Sequence, residues 1–551
     1  MNFIQKRIIE LAYQCISAQK YNYLKMLILK LLETGFNDPI ILFVIAEIYI
    51  SIKQYKKSLI YARRAFELNK TVDSLENLAY ICYSTQEYQD AAIFYEELIK
   101  YKPDIKNYIN CYNSYENLGL EEEGLKILIE LEKKHSSAEI ISKIIHIYIT
   151  LGMKDKCEYW LKIIQEKYPN KAATEHILGL YYEAQINDYE EAKKHYLKAT
   201  KLGNMNVFYD LAVCCKHCEE FDLAEKYFKK INSSKKPIDV DYNYSLASIY
   251  LAQRKMKHGF KYYEKRPSRL IISNHNKKKY WDGKEYLKET LLIETEQGFG
   301  DNIQFSRFIP LVAKKFKQVY FSVEKPLYIL MKESFKKYKN IEVITSDKLV
   351  KYNKYCLTMD LQNLLNISYH NIPEQKPYLI TNKEKDYAFK IKHFRGDEIK
   401  IGIYWRAKGM GLRDAVYRTI DAPYYFKRLF DLPNTKFYSF QMNDIFDMCK
   451  KYPQIVDLEP EIENFSDTAS MLKNIDILIT VDTALAHLAG ALGIKTYLLL
   501  CFSPDWRWFD NDKKTEWYPN VTIIKQHDRR TWEDVADSLY NYISEECKKK
   551  H

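Results

Sequence analysis

TLLIETEQGFGDNIQFSRF, residues 290–308, decides how the second half of this chain is read. A β-branched apolar run leads into two closely spaced glycines, Gly298 and Gly300, and helix-forming residues resume at Asp301. A strand over 291–294, a glycine turn and a helix from Asp301 would make the opening of a βαβ unit. Glycine there permits a tight turn and lets a ligand approach the backbone. Asp301 has two readings: a natural N-cap, or a carboxylate held in a cleft.

The alternation continues downstream. QVYFSVE, IEVIT, KIGIYW, TKFYSF, DILITV, KTYLLLC and VTIIK are short apolar runs, many of them separated by helical stretches. Strands alternating with helices predict parallel sheet. The run is too long for one small sheet, and the charged stretch HFRGDE (393–398) marks the boundary between two Rossmann-like halves. The closing amphipathic stretch TWEDVADSLYNYISEECKK is expected to pack across a sheet edge.

Two further blocks carry possible chemistry. In NIDILITVDTALAHLAGALG (474–493) a strand should end at Val481, with Asp482 and Thr483 at the turn and an Ala-rich helix after it. Such a turn is where α/β sheets hold phosphates, because free N–H groups and the helix dipole face the anion. Ala484, Ala486, Ala489 and Gly490 would let helix and strand approach. His487, one turn in, either hydrogen-bonds a ligand oxygen or is structural. The other block is arginine-rich in a chain with 69 Lys and only 15 Arg. Arg406, Arg413 and Arg418 follow the strand KIGIYW. A guanidinium binds phosphate bidentately, as Lys cannot; the alternative is a solvated basic loop.

The first half has a different period. Prolines at 39, 103, 169 and 237 fall at every second repeat of a unit near 33 residues. Small residues recur at Ala46, Ala79, Gly179, Ala212 and Ala247, and again at Ser58, Ala91, Gly124, Cys157, Ala192, Ala224 and Gly259. EYQDAAIFYEELIKYKP and DYEEAKKHYLKATKLG place apolar residues at helical spacing. The set resembles the tetratricopeptide repeat over about residues 38–266, with a degenerate helix pair before it. Stacked units of this kind present a concave surface suited to an extended protein segment, the alternative being a spacer or oligomerisation arm. Cys214, Cys215, His217 and Cys218 lack the second CxxC of a tetrahedral zinc site and read as buried or turn residues.

Composition narrows the classes. The chain has 551 residues with a formal charge of +11, mixed along its length, so it lacks the one-sided basic face of a nucleic-acid binder. Glycine is scarce, 16 of 551, against a usual ~7%. The eleven cysteines are scattered, as expected in a reducing cytosol. The start lacks an apolar stretch suited to a signal peptide. The most apolar run, Ile40 to Ile50, contains Glu47 and falls short of the ~20 residues that span a bilayer. A cytoplasmic location without membrane insertion is expected.

EQGFGDNIQFSRF, the block FSDTASMLKNIDILITVDTALAHLAGALG, and SPDWRWF with the later WYP together resemble tetratricopeptide-repeat proteins with a C-terminal glycosyltransferase domain. That domain is similar to the ADP-heptose:lipopolysaccharide heptosyltransferases, glycosyltransferase family 9. GFKYYEKR (259–266) followed by YWDG (280–283) resembles the junction of those proteins. The resemblance implies an α-solenoid followed by a GT-B fold. The expected divisions are a repeat solenoid over 1–268, a linker over 269–288, an acceptor-side half over 289–395 and a donor-binding half over 396–551.

The same resemblance implies roles. Asp301 would be the general base that deprotonates an acceptor hydroxyl, with Glu296 in reserve. Asp482, Thr483, Ala484 and His487 would hold the donor nucleotide-sugar diphosphate, with Arg418 and Arg406 against its phosphates. Gln441 would meet the nucleotide base or ribose. Trp506, Arg507 and Trp508 read as structure or cleft wall. Phe299 replaces the usual aliphatic residue of the GxGD loop, and Arg418-Thr419 stands where Arg-Ser is commoner. No cofactor or metal is expected. Asp239-Val240-Asp241 and Asp510-Asn511-Asp512 fit a DxD pattern by chance. The family's heptosyltransferases modify a lipid-linked sugar; with a peptide-binding type of solenoid in front, the activity expected here is an inverting transfer to a Ser or Thr hydroxyl of a protein such as a flagellin or surface protein, recruited by the repeats. A saccharide acceptor in surface-polysaccharide assembly and a catalytically silent scaffold are the alternatives; a homo-oligomer is compatible with each.

Overall fold

The computed structural model describes residues 3–549 apart from 19, 36, 233–239, 267–268, 270–275, 374–375, 408–417, 421, 444–447, 449–450, 509–512 and 530. Arg413, Pro237, Asp239 and the 510–512 triplet therefore lie outside the described residues. The chain divides into two compact units, one comprising 1–186 and 194–205, the other 187–193 and 206–551.

The first unit is a run of antiparallel helix pairs. After Phe3–Ser17 and Tyr21–Gly35 come Pro39–Ser51 with Tyr55–Leu68, Val72–Ser84 with Tyr88–Tyr101, Ile105–Leu118 with Glu121–Lys134, and Ala138–Thr150 with Lys154–Lys167. Caps set several starts. Asp38 accepts from Ile40 N and Ile41 N with Pro39 at the first helical position, and Thr71 and Ser74 form a capping box. The small residues lie where helices touch. Ala46, Ala62, Ala79 and Ala91 are wholly buried, and a methyl group on Gly179 would come within 2.5 Å of the Tyr196 ring.

The turn inside each repeat is built on one conformation. Lys53, Gln86, Gly119, Gly152, Asn187, Glu219 and Arg254 all have positive φ, between 59° and 69° for the first four. Each follows a helix end. Gln86 N–H donates to Tyr83 O and Glu87 N–H to Cys82 O, the bonding of a Schellman cap. Only two of the seven positions hold glycine. The scarcity of glycine thus does not remove left-handed turns from this array; other residues carry them at about 1–2 kcal/mol each. The interval from Gly152 to Asn187 is longer than those before it, and a π-helical turn at Tyr182–Ile186 takes up the excess.

The second unit begins with helices Phe208–His217, Phe221–Asn232, Val240–Ala252 and Met256–Tyr263. Cys214 and Cys215 lie buried within the last turn of the first of these, and Cys218 is its C-cap at the turn that follows. His217 stacks on Tyr189 with ring centres 4.3 Å apart, and burial pushes its proton affinity well down. Among the described residues no group of His, Cys, Asp or Glu is placed to hold a metal, and no helix is long and apolar enough to cross a membrane.

Two parallel sheets follow. Strands β1 (Tyr286–Glu294), β2 (Phe316–Val323), β3 (Ile341–Thr345) and β4 (Lys354–Leu357) pair in the order β3-β2-β1-β4. Strands β5 (Ile399–Tyr404), β6 (Thr435–Ser439), β7 (Ile455–Asp457), β8 (Ile477–Val481), β9 (Thr496–Leu500) and β10 (Val521–Lys525) pair in the order β10-β9-β8-β5-β6-β7. The second order is the doubly wound one, with its switch point between β5 and β8. The eight strands anticipated from sequence are present; β4 and β7, four and three residues long, are additional. Helix Glu533–Lys549 buries Val535, Leu539, Ile543 and Cys547 against the second sheet and reaches its edge strand β10.

Trp281 of YWDG is fully buried against Phe316 and donates to Lys284 O at 2.8 Å. A single core joins helices Val240–Ala252 and Met256–Tyr263 to one face of each sheet.

Candidate functional site

The strand β1 to helix turn is the first component. The helix runs Phe299–Phe305, two residues earlier than the sequence suggested. Gly298, not Asp301, is the N-cap. Asp301 sits three positions in, where its Oδ2 accepts the Gly298 N–H at 3.0 Å. Gln297, just before, takes φ 61°.

The β8 turn is the second component. The strand ends at Val481, and Thr483 caps helix Ala484–Leu492 without giving a side-chain cap bond. Its Oγ1 is buried and has no hydrogen-bond partner among the described residues. The turn lies at the carboxyl end of β8, one of the two strands that flank the switch point, where open α/β sheets bind ligands.

The tertiary structure presses these two turns together. A Cβ on Gly300 would lie 2.9 Å from His487 Cδ2 and 3.2 Å from Ala484 Cα. Glycine at 300 is thus required by close approach of a second helix start, not by an unusual φ. Gly490 has a similar role: any side chain there would run into the Tyr518 ring, so its smallness serves the WYP segment rather than the strand.

Charged side chains converge on the junction. Arg507 Nη2 meets Asp301 Oδ1 at 2.6 Å, and Nη1 meets Asp505 Oδ1 at 2.7 Å. Arg418 Nη1 donates to Asp482 O at 2.8 Å, and its guanidinium is 4.0 Å from the Asp482 carboxylate. Burial raises the Asp301 carboxyl above its ordinary value, although Arg507 pulls the other way. Burial lifts Asp482 to about 6 against the pull of Arg418. Asp505 is held below the usual range because Arg507 outweighs its burial. His487 is pushed down to about 3 by burial, so its imidazole is neutral at physiological pH. It stacks on Trp508 at 4.8 Å, and its Nδ1 lies 3.1 Å from the Tyr518 hydroxyl.

Other singled-out residues are engaged elsewhere. Glu296 is buried and paired through both oxygens with Arg266, whose third contact is Asp360 at 3.0 Å. Glu296 and Asp360 follow β1 and β4, so Arg266 occupies the switch point of the first sheet. This pairing leaves Glu296 poorly suited to act as a base. Gln441 Oε1 accepts from Trp405 N at 3.2 Å and Arg406 N at 2.9 Å, tying down the exit of β5.

Sequence reading left Arg507 as structure or cleft wall and gave no site role to Asp505, Tyr263 or Arg307. Tyr263 donates to Gln297 Oε1 at 2.8 Å and lies 3.4 Å from Arg507 Nη2. Arg307 is buried between Tyr378, Trp517 and Tyr518 and donates to Trp517 O at 3.1 Å. The one available signal was that each Arg runs against the lysine-rich composition.

Comparison with known proteins follows the same division. The tetratricopeptide repeat family model matches residues 40–71, 72–105 and 176–202. Protein FlbA of Caulobacter vibrioides is 22% identical over 339 residues, and the chain spans 55% of that relative's length. A tetratricopeptide repeat protein from Parabacteroides merdae covers 45% of this chain and 96% of its own at 15% identity and a TM-score of 0.34. A glycosyl transferase family 9 structure from Veillonella parvula covers 47% of this chain and 91% of its own at 13% identity and a TM-score of 0.34. The chain carries tetratricopeptide repeats in its N-terminal part, followed by a parallel-sheet α/β region consistent with a GT-B fold.

Proposed function

We propose that the α/β region is a glycosyltransferase that moves a sugar, with inversion and without a metal, from a nucleotide-sugar to a Ser or Thr hydroxyl of a protein held by the repeats. The observation that supports this reading is the meeting of Gly300 and Asp301 with Ala484 and His487, which sets a carboxylate beside a nine-residue helix start at a doubly wound sheet's switch point.

The chemistry follows from charge. Asp301 accepts the acceptor's proton as its oxygen attacks the sugar's anomeric carbon. The bond from that carbon to the diphosphate breaks, and its electron pair leaves with the diphosphate. Negative charge then grows beside the N–H groups of Ala484–Leu492 and Arg418. Neutral His487 adds no competing charge. The repeats supply the acceptor protein, a flagellin or surface protein in this reading.

Coexpression with candidate acceptor proteins, followed by mass spectrometry, tests it. A sugar mass on Ser or Thr of one acceptor, absent with Asp301→Asn, is the expected result. A glycan that gains mass while no protein does would replace it with a saccharide acceptor. That second reading has one observation in its favour: a cavity of about 400 Å³ in which Arg254, Lys255, Lys257, His258 and His370 stand with Met256, Ser368 and Tyr369, a mixed lining that offers cations to an anionic glycan.

A further inference from the structure

We propose that Arg507 is a displaceable latch on Asp301: the arriving diphosphate draws its guanidinium off the carboxylate and so frees the base. The inference rests on the glycosyltransferase reading and adds an order to it, donor before proton transfer.

The resting geometry motivates the idea. Both Asp301 oxygens are already engaged, Oδ2 by the Gly298 N–H at 3.0 Å and Oδ1 by an ion pair with Arg507 at 2.6 Å. A base so occupied must exchange a partner before it can meet a hydroxyl. Arg507 is the partner that can be exchanged, because the Gly298 bond belongs to the helix cap itself. Arg507 is buried, 6% exposed, yet its Nε has no hydrogen-bond partner among the described residues. A buried, unpaired donor on a charged group costs free energy that a ligand oxygen would recover.

Charge balance gives the exchange its direction. Three carboxylates, Asp301, Asp482 and Asp505, share two guanidiniums, Arg418 and Arg507. Arg507 is paired with Asp301, whose neighbour Gly300 abuts Ala484 and His487, which places it close to the start of helix Ala484–Leu492. A diphosphate carries more charge than a carboxylate and takes a guanidinium bidentately, so it competes well for Arg507. Asp301, losing its cation in a buried setting, then becomes the stronger base. Asp505 keeps Arg507 from leaving the site altogether.

Titration calorimetry with inorganic pyrophosphate on the full-length chain tests the latch. Asp301→Asn removes the competing charge and should tighten pyrophosphate binding about fivefold or more, an effect that a misfolded variant cannot mimic. Arg507→Gln should weaken it at least about tenfold, and Arg507→Lys should fall between. Unchanged affinity in both Asp301→Asn and Arg507→Gln, with binding lost in Arg418→Gln, removes the latch and leaves the donor site standing. Absence of binding in the wild type and in Asp301→Asn removes both.

Discussion

Arg507 and Asp301 form a 2.6 Å ion pair that joins the loop after β9 to the helix after β1, one residue from each sheet's side of the site. In the proposed reaction Asp301 receives the proton. Asp301→Asn is nearly isosteric and keeps the Gly298 cap as an acceptor. We expect turnover to fall on the order of 10²–10⁴-fold while donor binding persists, read by product formation and calorimetry side by side.

Asp482 gives a pH prediction. Its carboxyl is raised to about 6 in the folded chain, against 3.8 as the ordinary value, chiefly by burial. The folded state therefore holds that proton more tightly. Stability from this group is full below about pH 4 and is lost as pH rises through 6, a loss on the order of 2–3 kcal/mol at neutral pH. Asp482→Asn should raise the melting temperature at pH 7.5, and the gain should fade by pH 4.5. An equal gain at both values would contradict the assignment.

Gly300→Ala tests the abutting helix starts. The added methyl would lie 2.9 Å from His487 and 3.2 Å from Ala484, where backbone and a stacked ring leave little room. A destabilisation of about 1–3 kcal/mol is expected in denaturant unfolding, together with weaker donor binding.

Arg266→Met tests the buried ion triad. Glu296 and Asp360 would keep their burial and lose their shared cation. Leaving a buried charge unpaired costs about 3–5 kcal/mol. The Arg266→Met, Glu296→Gln, Asp360→Asn triple variant should recover much of that loss in chemical denaturation; no recovery would show that Arg266 contributes by packing alone.

Gln86→Gly tests the repeat turns. Gln86 is exposed and sits at φ 66°. Glycine adopts that conformation without the side-chain penalty, so Gln86→Gly should stabilise the first unit by up to about 1 kcal/mol. Gly119→Ala, at φ 69°, should do the reverse.

Much of this was legible one residue at a time. Helical spacing and small-residue recurrence located the repeats, because i, i+3 and i+4 contacts are local. The long β-branched runs located eight strands. β4 and β7 escaped because three or four residues, as in KYCL, carry too little alternation to stand out. The repeat turns escaped as well, since Lys53 and Gln86 advertise nothing of a left-handed backbone that the surrounding helices impose.

The candidate site divides along the same line. The amino-acid sequence by itself located the turns that follow β1 and β8, and so placed Asp301, Asp482 and Thr483 at strand-to-helix turns, while Arg418 stood out only by composition. Their partners were a matter for tertiary structure. Which carboxylate faces Arg507, which is consumed by Arg266, and that Gly300 makes room for His487 all depend on how two separately wound sheets bring their strand ends together. Burial, which sets the proton affinities of Asp301, Asp482 and His487, exists only once that packing has excluded water.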